Sequence, residues 1–250
     1  MEESSLKQIK KSYLFLFVVV FFTGLIIKIF LWSKTNYLSR DSALYLGYIE
    51  KWYSAGWRYD KATMPVLEFP PLYLYLTHAL MHVGISATHA GLTINMILGS
   101  TIPILAFCIA KDITNSTTIS LACLLVVLFH PTLNKFSIET QRDIGYLFFS
   151  CLGILMLLKS RSSKKYLYPF CAGFFIGLSL LFRFESLELL PIGAFLLFSR
   201  KTGWLDFNRK MILILSSMAI CLFFMSALMG LTFSDIKHIY YDIYLNRTIG

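Results

Sequence analysis

Long apolar runs separated by short basic segments constrain this chain more than any other feature of its sequence. The first run, Tyr13–Trp32, has about 20 residues, enough for a helix to cross roughly 30 Å of hydrocarbon. Charged residues make up only 15% of the chain and hydrophobic residues 56%, whereas soluble domains carry about a quarter charged residues. These features predict an all-α fold, a polytopic bundle of transmembrane helices.

About seven spans are expected from the lengths of the apolar runs. Two segments in the first loop are helical in pattern but unsuited to crossing: Asp41–Trp57 is amphipathic, and Leu72–Val83 has only about a dozen residues. We expect the first to be an interfacial helix on the outer leaflet and the second to be an interfacial or re-entrant helix. The whole chain, 1–250, is predicted to be one membrane module. Its parts are a first span (13–32), an external loop (33–87), six further spans (88–231) and an external C-terminal piece (232–250).

Basic residues occur at every turn that a seven-span chain with a cytoplasmic N-terminus places inside. They are Lys7, Lys10, Lys11, Lys111, Lys159, Arg161, Lys164, Lys165, Arg200, Lys201, Arg209 and Lys210. Because Lys and Arg favour cytoplasmic loops, we expect these turns inside and the Asp41 segment outside. The net charge of +9 then reflects orientation, and no nucleic-acid partner is predicted. Lys28, near the end of the first span, is expected to snorkel toward the external interface.

Cysteine and histidine residues give little sign of a metal site. The five cysteines all fall in apolar runs without a C-x-x-C pair, which favours buried thiols over disulfides. His78 and His82 have the i, i+4 spacing of metal ligands, but no third ligand is near in the sequence. Interfacial packing is therefore the favoured interpretation, and no metal site is predicted.

Charged residues form three groups at the expected external ends of spans. The groups are Arg40 with Asp41, Glu139 with Arg142 and Asp143, and Arg183 with Glu185. The third group interrupts the apolar run Tyr166–Phe198, which as one helix would be about 50 Å long, so the chain must turn there. Ionisable groups at membrane depth are costly and mark functional sites.

Each group also has a structural explanation. Asp41 could cap the helix that follows it, since Asp is a preferred N-cap residue. Glu139 and Asp143 could lie at a solvated loop edge, or in the first turn of a helix as partners of its dipole. Arg183 and Glu185 could form a structural ion pair at a tight turn.

Four motifs occur in a characteristic order. They read R-D-S-x-x-Y from Arg40, F-P-P-L-Y-x-Y-L from Phe69, H-P-x-L-x-x-x-S-x-E-x-x-x-D-x-x-Y from His130, and G-L-x-x-L-x-R-x-E from Gly177. With the predicted topology, they make the whole chain resemble the GT-C superfamily of integral-membrane glycosyltransferases. The most similar branch contains bacterial relatives of protein O-mannosyltransferases and aminoarabinose transferases.

The resemblance implies transfer of a sugar from a polyprenyl-phosphate donor to a lipid, glycan or protein acceptor, on the external face of a bacterial inner membrane. It implies that Asp41 is the general base, Asp143 a second catalytic acidic residue, and Arg183 a ligand of the donor phosphate. The remaining candidates for substrate binding are Arg40, Tyr45, Glu139, Arg142 and Glu185. No cofactor is required by these residues, and a divalent cation at the phosphate is left open.

Members of this superfamily are usually longer than 250 residues. The resemblance therefore leaves three forms open: a minimal enzyme, an inactive fragment, or a fragment whose protein partner supplies a C-terminal region. A transporter or lipid flippase is the alternative from another class. It would place charges near the bilayer midplane and broken helices in paired positions. Because the charges gather at outer ends and no repeat is visible, transport is ranked second.

Overall fold

The computed structural model describes residues 2–35, 38–56, 71–198, 203–232 and 234, and within them the chain is helical. The helices are α1 (Glu2–Thr35), α2 (Arg40–Ala55), α3 (Leu72–Met81), α4 (Ala87–Thr114), α5 (Thr117–Leu128), α6 (Pro131–Ser137), α7 (Asp143–Ser162), α8 (Leu167–Leu180), α9 (Leu189–Leu197) and α10 (Trp204–Met229). A short 3-10 helix, Phe184–Glu188, precedes α9. The predicted C-terminal piece lies almost wholly outside the described residues.

The prediction of an all-α, multi-pass membrane fold is confirmed. Four of the described helices are long and apolar enough to span a bilayer: α4, α7, α10 and the Tyr13–Thr35 part of α1. Helices α5 and α6 pass the same test only as a pair, bent by 54°. Helices α8 and α9 have 14 and 9 residues. The predicted apolar segments thus contain α1, α4, α5 and α7–α10, but a count of seven crossings stays a prediction.

Helix α6 connects α5 to the segment that precedes α7. His130 is its N-cap, and the ring Nδ1 accepts the Leu133 backbone N–H at 3.3 Å. Pro131 follows at the first helical position, where its missing N–H leaves no intrahelical bond unmade. Leu133, Asn134 and Ser137 of α6 are buried, so this helix packs against the bundle.

Helices α1 and α4 run antiparallel over the Tyr13–Trp32 part of α1. The rings of Tyr13 and Phe107 are 5.6 Å apart at one end, and those of Trp32 and His89 are 5.6 Å apart at the other. Between them, Gly24 faces Ser100 and Leu128, where an added Cβ would meet both residues at 3.4 Å. The N-terminal end of α4 therefore lies beside the C-terminal end of α1.

Small residues bring α8 close to α10. Gly173 and Gly177 are spaced as G-x-x-x-G, and an added Cβ at Gly173 would overlap the Ile214 carbonyl and the Ser217 hydroxyl. At Gly177 it would lie 3.1 Å from Cys221 Cβ. Such spacing allows membrane helices to pack backbone against backbone, where dispersion contacts stabilise the pair.

The chain reverses direction between α8 and α9, as the charged residues there predicted. Along α7, Gly153 faces Ile176 of α8, whereas Leu157 faces Gly193 of α9. Leu157 lies one turn closer than Gly153 to the C-terminal end of α7. Helix α8 therefore runs toward the N-terminal end of α7, and α9 runs back toward its C-terminal end. The Arg183 segment therefore lies at the end of the bundle where α7 begins.

Helices α2 and α3 form a separate layer at this same end. The apolar face of α2, with Tyr45, Ile49 and Trp52, is buried in one cluster with the first residues of α3. This face therefore packs against protein. The Leu72 backbone N–H donates to the Leu181 carbonyl at 3.1 Å, which joins the layer to the turn after α8.

Candidate active site

Arg183 is held by carboxylates from two elements. Its Nη1 donates to Asp143 in the first turn of α7, and its Nη2 donates to Glu185 in the 3-10 helix. The guanidinium also lies 5.6 Å from the centre of the Tyr146 ring. The side chain is 29% exposed, so a ligand can still reach it.

The ion pair between Arg183 and Glu185 is stable at neutral pH. The hydrogen bond from Arg183 lowers the pKa of the Glu185 carboxyl, and the bond to Glu185 raises the pKa of Arg183 against the opposing effect of burial. A group with a lowered pKa keeps its stabilising charge above its ordinary range and loses it only as pH falls through the lowered value. Both groups are therefore charged under ordinary conditions.

Tyr45 connects the α2 layer to the charged cluster. The Arg142 guanidinium lies 6.0 Å from the centre of the Tyr45 ring. Burial raises the pKa of the Tyr45 hydroxyl, and the charges of Arg142, Asp143, Asp41 and Arg183 all act on it. Four other predicted site residues are thus near this phenol, and together with Tyr45 they come from three separate parts of the sequence.

Asp41 does not cap α2. The N-cap residue is Ser39, whose hydroxyl accepts the Ser42 backbone N–H at 3.2 Å. Asp41 lies in the first turn and is exposed. The proposal that Asp41 serves as the N-cap is therefore wrong, because Ser39 performs that role two residues earlier. A favourable interaction with the helix dipole remains as a structural role.

Arg40 and Glu139 differ in burial and surroundings. Arg40 is exposed at the start of α2. Glu139 is only 6% exposed, and its Oε2 accepts the Gln141 side-chain amide at 3.0 Å. Because α6 ends at Ser137 and α7 begins at Asp143, Glu139 lies in the connection and does not share a helical face with Asp143.

Two buried polar residues hold this connection and were missed by the sequence analysis. The Asn95 side-chain amide donates to the backbone carbonyls of Glu139 and Gln141, at 2.6 and 2.7 Å. The Ser42 hydroxyl accepts the Thr140 N–H at 3.2 Å. Together they tie the segment that precedes Arg142 to α4 and α2. A lone amide within an apolar span was the signal available for Asn95.

Lys28 does not extend to the interface. It is fully buried, and its Nζ lies 3.2 Å from Asn134 Oδ1 and 3.5 Å from the Gly24 carbonyl. The expectation of snorkelling is wrong because α6 folds back beside α1 and supplies the amide oxygen of Asn134. An ammonium inside a membrane span is costly unless it has such a partner.

Metal ligands do not cluster at this site. Within the described ranges no group of three or more His, Cys, Asp or Glu residues could hold a metal ion. Asp143 and Glu185 are the neighbouring carboxylates, and both bind the Arg183 guanidinium. The positive charge between them therefore comes from the protein itself.

Comparison with known protein families agrees with this arrangement. The sequence profile described as dolichyl-phosphate-mannose-protein mannosyltransferase matches residues 68–229, well over half of the chain. The chain belongs to this family. It is a multi-pass membrane glycosyltransferase of the mannosyltransferase type, and the resemblance to the GT-C superfamily is confirmed. Comparisons with curated proteins and with solved structures gave no match.

The family match divides the candidate site. Arg142, Asp143, Arg183 and Glu185 lie within the matched residues, whereas Asp41 precedes them. The charged cluster of α7 and the 3-10 helix therefore lies within the part of the chain that matches the family. The α2 layer lies outside that part, and only its position in the structure assigns it to the site.

Proposed function

We propose that this glycosyltransferase moves a sugar from a polyprenyl-phosphate donor to a hydroxyl-bearing acceptor on the external face of the membrane. The observation that carries the proposal is that two arginines, Arg142 and Arg183, and the exposed carboxylate of Asp41 all act on the hydroxyl of one residue, Tyr45. Glycosyl transfer from a phosphate needs cations at the departing phosphate and a base at the acceptor. The family match supports the reaction class, and these residues supply its two requirements.

Arg183 is the proposed ligand of the donor phosphate. A guanidinium has five N–H donors, of which one goes to Asp143 and one to Glu185. The two carboxylates fix the plane of the group, and planar guanidinium groups match phosphate oxygens in pairs. Arg142 lies close enough to add a second positive charge, which offsets the negative charge of the two carboxylates.

Asp41 is the proposed general base. Its carboxylate takes the proton of the acceptor hydroxyl as that oxygen forms a bond to the anomeric carbon. The bond from the anomeric carbon to the phosphate oxygen breaks, and its electron pair leaves with the phosphate next to Arg183. A single displacement of this kind inverts the anomeric configuration, as in two-carboxylate inverting glycosidases.

An apolar groove along α7, the helix that begins at Asp143, fits the lipid part of the donor. One stretch of about 370 Å³ and another of about 650 Å³ lie between α4, α5 and α7, and both are lined by Ala106, Val127 and Cys151. Leu147 also lines the first stretch. Asp143, Leu147 and Cys151 are spaced four apart on α7, so they share one face. A polyprenyl chain in this groove would place its phosphate near the start of α7.

The test is transfer of label from a polyprenyl-phosphate sugar. Membranes containing the full chain are incubated with radiolabelled donor, and labelled lipid, glycan and protein fractions are separated. Transfer to an acceptor, with inverted configuration, is the expected result. Membranes that lack the chain give the background.

Transport is the second candidate, because of Lys28 and the bent α5–α6 pair. Both features lie within the bundle, where a transporter carries its site. In sealed vesicles, movement of labelled donor between leaflets without formation of a glycoside would favour transport. Formation of the glycoside would favour the transferase.

The external face follows from a cytoplasmic N-terminus. Single cysteines replacing Ser54 of α2 and Ser162 of α7 are expected to react with a membrane-impermeant maleimide from opposite sides. Ser54 should be labelled in intact cells and Ser162 only after permeabilisation, since basic residues adjoin Ser162. Labelling of both from the same side would contradict the proposed orientation.

A further inference from the structure

We infer that His78 and His82 form a binding site for a divalent transition-metal ion of the zinc, copper or nickel class. The inference goes beyond the transfer reaction and does not depend on it. It rests on the two ring nitrogens, His78 Nε2 and His82 Nε2, which lie 3.1 Å apart on α3. The i, i+4 spacing places both rings on one face of the helix.

The separation of the two nitrogens fits coordination to one ion. Metal–imidazole bonds to zinc are about 2.0–2.1 Å, so nitrogens 3.1 Å apart subtend an angle of about 100° at a metal bound to both. This angle lies between the right angle of square-planar copper or nickel and the tetrahedral angle of zinc.

Aromatic side chains fix the inner ligand. The His78 ring is fully buried and stacks on Trp52 at 5.8 Å, and Tyr53 and Tyr75 lie 5.9 and 6.5 Å from it. A ring held in this way loses little conformational freedom on binding. Pre-organisation of the inner ligand therefore favours capture of the ion.

The outer ligand is open to solvent. His82 is exposed at the end of α3, and its ring lies 4.9 Å from that of Tyr53. An ion can therefore enter from water and complete its coordination with water molecules. The site lies about two turns along α3 from Leu72, the residue that contacts the Arg183 turn, so it is separate from the charged cluster.

Metal binding requires a change of tautomer in one ring. At 3.1 Å one Nε2 donates its proton to the other, and a metal ligand must offer a lone pair at that position. The donating ring moves this proton to its Nδ1 when the metal–nitrogen bonds form, so no net proton is released from two neutral rings. Protonation of either ring in acid competes with the metal.

The test uses the full chain without an affinity tag, in detergent micelles and stripped of metal. Cu²⁺ is added, and electron paramagnetic resonance counts the imidazole nitrogens on the bound ion. We expect one tight site per chain with two such nitrogens. His82→Gln should lower the copper affinity by about 10–100-fold or more. A loss of about 10–100-fold is what a metal site suffers when it loses even a supporting partner.

His89→Gln is the matched control. His89 is an exposed histidine on α4, and its Nδ1 lies 2.7 Å from Ser86 Oγ. Its removal should leave copper binding unchanged. Copper affinity that is equal in wild type and His82→Gln, with circular dichroism showing both folded, would overturn the inference, as would a site that His89→Gln removes.

Discussion

Replacing Asp41 with Asn is expected to lower transfer by about 10²–10⁴, the usual cost of losing a general base. The side chain keeps its size and its place in the first turn of α2, but the amide cannot accept the proton of the acceptor. Since Ser39 caps the helix, the substitution leaves the cap untouched. The initial rate of label transfer at saturating donor measures the effect.

Glu50→Gln is the control for this change. Glu50 is an exposed carboxylate on the same helix, so the control alters charge by the same amount without removing the proposed base. Its transfer rate should remain near that of the wild type. A rate near normal for Asp41→Asn, with equal amounts of protein in the membrane, would exclude Asp41 from the reaction and leave it a role at the helix dipole.

The fold class and the turn between α8 and α9 could be predicted from the sequence because both depend on local properties. Apolar length indicates membrane helices, and charges in Tyr166–Phe198 indicate where an overlong run must turn. The end of the first span was harder to interpret. A lysine near a helix end is expected to extend to the interface, and only the fold shows that Asn134 lies beside Lys28.

The sequence indicated charged residues at the turns, but it did not indicate which of them contact one another. Asp143 and Arg183 are 40 residues apart, and no periodicity indicates that one binds the other. The contact depends on close packing of α7 on the turn after α8, where Gly145 leaves space for the Phe182 ring. Glu139 shows the reverse case. It lies four residues before Asp143, a spacing that would place both on one face of a helix, but no helix spans the two residues.

Removing the charge of Arg183 is expected to affect donor use most strongly. Arg183→Gln should lower transfer by about 10²–10³, the range found when one stabilising donor of a developing anion is lost. Arg183→Lys keeps the charge but cannot hold two phosphate oxygens at once. Its rate should fall between those of Gln and the wild type, with a raised KM for the donor because the ammonium acts as a point charge.

Arg161→Lys is the control for the guanidinium. Arg161 is exposed at the C-terminal end of α7, the end opposite the charged cluster. Its replacement therefore tests the effect of exchanging Arg for Lys at a position outside the site. A structural pair would tolerate Lys, because an ammonium can still bind Asp143 or Glu185. Equal donor KM values and equal transfer rates for Arg183→Lys and Arg161→Lys would contradict the prediction. Arg183 would then serve only to join α7 to the 3-10 helix. The phosphate ligand would then have to be sought at Arg142, which lies beside Tyr45.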